Sequence, residues 1–246
     1  MKVLVVGDAC LDVYLYGECI RMCPDAPIPV FVPIYKKENK GMAGNVYENL
    51  LSLGVATDLK CNSTTITKTR YVEEKTNHMF LRVDSGEEEI GRISDLSIES
   101  LEKYDAVVIS DYNKGYLYEE DIKFICDNHS LVFLDTKKII GEYCKGCSFI
   151  KINGNEYRKS FEEYDNPAKI WAEDKMIVTL GFKGCRFRER LYSVEKVEIR
   201  DTSGAGDTFL AAFVHRFLQD KNIEKSLKFA NKCSTAVVQQ KGVNVV

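Results

Sequence analysis

Short apolar runs recur along the chain at lengths suited to buried strands: Val3–Val6, Ala106–Ile109, Leu131–Leu134, Phe149–Ile152 and Met176–Leu180. Runs of this kind, bounded by polar residues, mark strands covered on both faces. Helix-length polar or amphipathic stretches separate the later ones. The rhythm predicts an α/β protein with a mainly parallel sheet flanked by helices. Two segments break it. Residues 13–37 carry Pro27, Pro29 and Pro33, which exclude a helix or a central strand but fit a sheet edge. Residues 66–84 read as an antiparallel pair, Ile66–Val72 and Met79–Val83, around a polar turn at 73–77. Together these segments predict a small, separate antiparallel β layer beside the main sheet. Gly41-Met42-Ala43-Gly44-Asn45 opens a helix with apolar Val46, Leu50 and Leu53, closed by Gly54. The most apolar helix, Phe209–Leu218, follows Asp201-Thr202-Ser203-Gly204-Ala205-Gly206-Asp207-Thr208, itself preceded by the strand-like run Val197-Glu198-Ile199.

Polar residues collect where the predicted strands end: Asp8 and Asp12, Asp111, Asp135, Asn153, Thr179 and Asp201–Asp207. In an open α/β sheet that edge is where ligands bind. The Gly204–Gly206 turn leads into a helix N-terminus, whose free N–H groups and dipole suit an anion. Asp207, in the first helical turn, reads either as a cap or as a base for an attacking hydroxyl. Asn153 and Glu156 are three apart and can face one side of a helical turn. They read equally as a hydrated Mg²⁺ site or as a capping box. Thr179–Gly184 is a strand end and glycine turn, able to carry a nucleotide or to act only as a hairpin turn. Lys114 could meet a phosphate, though an exposed loop lysine is the commoner case. No G-x-x-x-x-G-K-[ST], early G-x-G-x-x-G or H-R-D loop occurs, which counts against P-loop, dinucleotide and protein-kinase sites.

Composition narrows this only modestly. In 246 residues, 45% hydrophobic and 29% charged, one substantial core can form. A net charge of −3 with dispersed Lys and Arg gives no nucleic-acid footprint, and no apolar run is long enough to span a membrane. The first residues read as a strand rather than a signal peptide. Nine scattered cysteines suggest reduced thiols and a cytoplasmic location. Cys144-x-x-Cys147 lacks a second ligand pair and reads as structural.

Three motifs in order resemble the ribokinase-like (PfkB) carbohydrate kinases: Gly41-Met-Ala-Gly-Asn45, Asn153-x-x-Glu156 and Asp201-Thr-Ser-Gly-Ala-Gly-Asp207. Gly7-Asp8-x-x-Leu11-Asp12-x-Tyr14, Arg21-x-x-Pro24-Asp25-Ala26-Pro27-x-Pro29-Val30, Thr65-Ile66-Thr67-Lys68-x-Arg70 and Ser110-Asp111-Tyr112-x-Lys114-Gly115 resemble the branch acting on D-glycero-β-D-manno-heptose 7-phosphate. The resemblance spans essentially the whole chain and implies one kinase domain, 1–246, with strands from 13–37 and 66–84 as a sugar-covering antiparallel β lid and with ATP, Mg²⁺ and a sugar phosphate as ligands. It leaves a monovalent cation open. It implies Asp207 as the base, with the N–H groups of Gly204, Ala205 and Gly206 as the anion hole. Asp12, Gly41, Asn45 and Lys114 would bind the acceptor; charge and location point Lys114 and Arg82 at its existing phosphate. Asn153, Gly154, Asn155, Glu156, Thr179, Gly181, Gly184 and Asn231 would line the ATP side, with Asn153 and Glu156 holding Mg²⁺ through water. Three departures accompany the resemblance: about ten residues stand where the family has a strand–helix–strand segment after Gly54, the stretch from Arg158 to Asp174 is short, and Met42 replaces a motif glycine. No H-x-G-H occurs, so the adenylyltransferase domain sometimes fused to such kinases is not expected. Alternatives are a kinase for another small sugar or polyol, or a non-catalytic ligand-binding relative. Ile28–Tyr35 is apolar on both predicted faces, so one face is expected to cover sugar and the other to pair lids in a homodimer.

Overall fold

The computed structural model describes residues 1–88, 90–240, 242 and 245–246. Its strands are β1 Lys2–Gly7, β2 Ala9–Met22, β3 Pro29–Met42, β4 Ala56–Cys61, β5 Ile66–Glu73, β6 Met79–Ser85, β7 Ala106–Asp111, β8 Val132–Thr136, β9 Phe149–Asn153, β10 Met176–Thr179, β11 Cys185–Phe187 and β12 Arg190–Tyr192. The helices are α1 Ala43–Ser52, α2 Ile98–Leu101, α3 Glu119–Asn128, α4 Gly154–Phe161, α5 Lys169–Ala172, α6 Ala205–Asp220 and α7 Ile223–Val237.

Eight strands form one sheet in the order β12-β11-β10-β9-β8-β7-β1-β4. Pairing is parallel from β10 through β4, and β11 and β12 add an antiparallel edge. Alternate side chains feed two layers of core. Val3, Val5, Val108 and Phe133 pack under α1, α6 and α7 through Leu50, Phe213 and Leu227. Leu4, Val6, Ile109 and Leu134 pack on the other side with Leu101, Ile122, Ile125 and Phe161. Cys144 and Cys147 lie buried in that second layer. This is the predicted α/β architecture. The strand β4, which the sequence reading did not identify, extends the sheet where the chain after Gly54 is short, pairing with β1.

The second sheet has the order β3-β2-β5-β6. Its outer pairings are antiparallel, but β2 and β5 at its centre run parallel. The lid is therefore mixed rather than purely antiparallel. Its proline-bearing strand β3 is at an edge, where missing N–H groups cost no ladder bonds. The lid strands are also longer than predicted. Asp12 lies within β2 and Gly41 within β3, so both are lid residues.

Two local expectations need correction. Val197–Ile199 is not a strand: the chain leaves the sheet after β12, and the N–H groups of Arg200 and Asp201 instead donate to the Val238 carbonyl beyond α7. The simple alternation assumed for Ile28–Tyr35 also fails. A register shift between Tyr16 and Gly17 resets the β2–β3 pairing, turning Tyr35 onto Tyr16 (ring centroids 4.9 Å apart) and Phe31 against Tyr71 and Phe80.

Candidate active site

Asp207 occupies the first turn of α6 behind Gly204, which holds the left-handed conformation (φ 77°) that glycine adopts without penalty. The carboxylate is 4% exposed and is gripped on both oxygens. Tyr112 donates its hydroxyl to Oδ1 at 2.7 Å, and Asn45 donates its amide to Oδ2 at 3.1 Å. Burial pushes the Asp207 carboxyl up to about 6; these two donors and the nearby Lys151 ammonium hold it from rising further. Tyr112 is pushed well above its usual range by burial and by the Asp207 charge, so it remains a donor.

The loop bearing Tyr112 is positioned by Asp8, at the end of β1. Its carboxylate accepts the backbone N–H groups of Tyr112, Lys114 and Tyr116 at 2.7, 3.2 and 3.3 Å. Burial raises the Asp8 carboxyl, and these N–H donors pull it back.

Beside the N-terminus of α6 lies a cavity of about 600 Å³. Ala205, Gly206, Asn153, Thr179, Gly181, Gly184 and Asn231 all line it, as does the loop through Val197 and Ile199. Gly184 is required there, because a Cβ would meet the Tyr192 carbonyl at 2.1 Å. Asn231 both lines the cavity and donates to that carbonyl at 2.8 Å, tying α7 to β12. Gly154 is outside the cavity lining, while Asn155 and Glu156 border an adjoining recess of about 170 Å³. Of the three expected anion-hole amides, that of Ala205 donates to the Thr202 carbonyl at 3.3 Å.

Two lysines absent from the sequence-based assignments reach the same place. Lys151 Nζ is 2.6 Å from Asp135 Oδ2, and a Cβ on Gly206 would come within 2.9 Å of it. Gly206 thus lets an ammonium sit against the helix N-terminus. Lys137 pairs with Glu156 and has its ammonium 3.8 Å from Asp135 Oδ1. Burial acts to raise Asp135 and to lower Lys137, yet the opposite charges prevail: Asp135 is lowered and Lys137 raised, so both stay ionised. The signal for Lys151 was a single charge inside the apolar run Phe149–Ile152.

Asn153 and Glu156 form a complete capping box. The Asn153 Oδ1 accepts from Asn155 and Glu156 N–H at 2.9 Å, while Glu156 accepts from the Asn153 N–H and Nδ2 at 2.7 Å. With Lys137 also on Glu156, a carboxylate of about four acceptor sites keeps one for a water molecule. This donor set fits a hydrated Mg²⁺ held through water and not direct ligation.

On the lid side, Asp12 forms an ion pair with Arg70, and both are buried. Gly41 makes that possible, since a Cβ there would lie 2.0 Å from Asp12 Oδ2. Met42, standing where the motif has glycine, adopts φ 57° and ψ −130°, a strained conformation for a side-chain-bearing residue. The two expected phosphate contacts are already engaged: Lys114 with Glu87 at 2.6 Å, and Arg82 with both oxygens of Asp84 at 2.7 Å. The structure thus brings Asp207, Asn45 and the helix N-terminus together, places Asn153, Thr179, Gly181, Gly184 and Asn231 of the expected nucleotide side around the adjoining cavity, and leaves Lys114 and Arg82 in ion pairs.

Other proteins resemble this chain in sequence or in fold. Bifunctional protein HldE of Nitratiruptor sp. is 32% identical over 98% of this chain and 62% of its own length. The chain thus spans under two thirds of that relative. Ribokinase from Thermotoga maritima superposes with a TM-score of 0.72 at 18% identity, over 98% of this chain and 94% of the other. Arabidopsis thaliana ribokinase complexed with ribose and ATP gives 0.68 at 17%, over 98% and 93%. At these identities the two structures establish a shared fold. The profile of the pfkB family carbohydrate kinases matches residues 40–245, and the chain belongs to that family.

Proposed function

We propose that the chain is one kinase domain that transfers the γ-phosphate of ATP to the anomeric hydroxyl of D-glycero-β-D-manno-heptose 7-phosphate. The observation that carries the kinase reading is Asp207, a desolvated carboxylate at the head of α6, between the Asn45 motif and the cavity edge formed by Ala205 and Gly206. The acceptor identity rests on the heptose-branch motifs and the HldE relative.

In this reading Asp207 accepts the proton of the acceptor hydroxyl. A base raised to about 6 remains largely ionised at neutral pH yet binds a proton more readily than an ordinary aspartate. Asn45 and Tyr112 orient it. Phosphoryl transfer spreads negative charge over the moving group, so stabilising that charge is the protein's main task. The α6 N-terminus, Lys151 and Lys137 are grouped to do so. Glu156 would retain a hydrated Mg²⁺, which shields phosphate charge when bound. Asn153, Thr179, Gly181, Gly184 and Asn231 would receive the nucleotide. The lid would exclude water and so suppress hydrolysis.

Exposed Ile28, Ile34, Leu81 and Val83 support a homodimer joined through the lid. Free thiols at all nine cysteines accord with a cytoplasmic location, and among the described residues no helix is long and apolar enough to cross a membrane.

The test is ADP release across a panel of sugars and sugar phosphates. Heptose 7-phosphate should give the highest kcat/KM; an equal or better value with an unphosphorylated hexose or pentose rejects the assignment in favour of another sugar kinase.

A further inference from the structure

Lys68, on β5, is 8% exposed, and among the described residues no carboxylate lies within ion-pair reach of its ammonium. Other cations around the site do have such partners: Arg70 with Asp12, Arg82 with Asp84, Lys114 with Glu87, Lys137 with Glu156 and Lys151 with Asp135. The register explains why Lys68 is left over. Its strand neighbours are Asp12 on β2 and Asp84 on β6, and an arginine holds each of them. Of the three cations Lys68, Arg70 and Arg82, Lys68 is therefore the one left without an ion-pair carboxylate among the described residues. A desolvated ammonium without a partner is costly, and a ring face compensates it less than an anion does.

A ring contact shows the direction of that ammonium. It lies 5.7 Å from the centroid of the Tyr112 ring, whose hydroxyl meets Asp207. Lys68 is thus on the acceptor side of the base. Lys137, 5.0 Å from the same ring centroid, is committed to Glu156 on the nucleotide side.

We propose that Lys68 is the anchor for a phosphate monoester already carried by the acceptor, so that substrate binding completes an ion pair the folded lid leaves open. This rests on the kinase reading above but assigns the anion subsite to Lys68 in place of Lys114 and Arg82. Charge-assisted hydrogen bonds to phosphate are among the stronger polar contacts, so their loss should be measurable.

Lys68→Met and Lys68→Arg are compared with the wild-type chain on a sugar phosphate, the corresponding sugar acid and the neutral sugar. Binding of the sugar phosphate is measured separately by calorimetry. Lys68→Met should raise KM for the sugar phosphate about 10- to 100-fold, leave the neutral sugar and the KM for ATP unchanged, and melt no lower than wild type. Lys68→Arg should retain most of the phosphate preference. Equal losses on phosphorylated and neutral sugars, or no loss, overturn the proposal, as does a wild-type preference for the sugar acid. If no sugar is turned over, the kinase reading fails, and calorimetry alone decides the subsite: binding lost in Lys68→Met supports it, and binding unchanged overturns it.

Discussion

In the wide sheet, β7 and β8 are buried at every residue, whereas β6 of the lid is exposed at every residue and β3 along most of its length. Met79, Phe80, Leu81 and Val83 are as apolar as the residues of a core strand. The difference lies in what covers them. Helices lie on both faces of the wide sheet, while the lid has one face toward the site and little over the other. The charges divide in the same way. The wide sheet supplies Asp135 and Lys151, with Lys137 just beyond β8 and Asp207 on α6, close to the cavity; the lid supplies Asp12, Arg70, Arg82, Asp84 and Lys68. In the proposed mechanism the first set performs transfer and the second selects the acceptor.

Stability tests the contrast most strongly. Phe213→Ala, at a side chain 1% exposed, should cost about 3–5 kcal/mol by chemical denaturation. Leu81→Ala, at 55% exposure, should cost under about 1 kcal/mol when measured at low protein concentration. Similar losses at the two sites break the comparison.

Asp207→Asn should keep ATP and sugar binding while lowering kcat by about 10²-fold or more, as expected for removal of a general base. Near-normal turnover would return Asp207 to the role of a helix cap.

The lid's uncovered face is sharpened by light scattering at micromolar concentration. The wild-type chain should be a dimer and Leu81→Glu a monomer. A fully active wild-type monomer removes the dimer. Phe31→Glu, attractive from sequence alone, is the poorer probe because Phe31 packs within the lid against Tyr71 and Phe80.

The smallest effect concerns pH. Because the Asp207 carboxyl is raised to about 6, its base form, and with it kcat/KM, should decline as pH falls through that value. Tyr112→Phe deletes a donor that favours the carboxylate, so the acidic limb should move upward by roughly half to one pH unit. Activity near pH 8 should change little. An unmoved limb removes Tyr112 from control of the base.

Much of this molecule was present in local spacing. Apolar runs of strand length located most of the wide sheet, Pro29 and Pro33 identified an edge, and Gly204–Asp207 before an apolar helix marked the glycine turn at the head of α6. Each is a property of neighbouring residues, which periodicity and turn chemistry can report. The tertiary structure decided what meets across the fold. Asn45 and Tyr112 converge on Asp207 from 162 and 95 residues away. Lys151 meets Asp135 because β9 lies beside β8, and Lys68 is left without an ion-pair carboxylate because Arg70, on its own strand, and Arg82, on β6, hold the two aspartates beside it. Val197–Ile199 had the composition of a strand, but its continuation bonds to the end of α7 rather than to a sheet edge. Composition records a residue's preference; strand order and packing determine which partner is there to meet it.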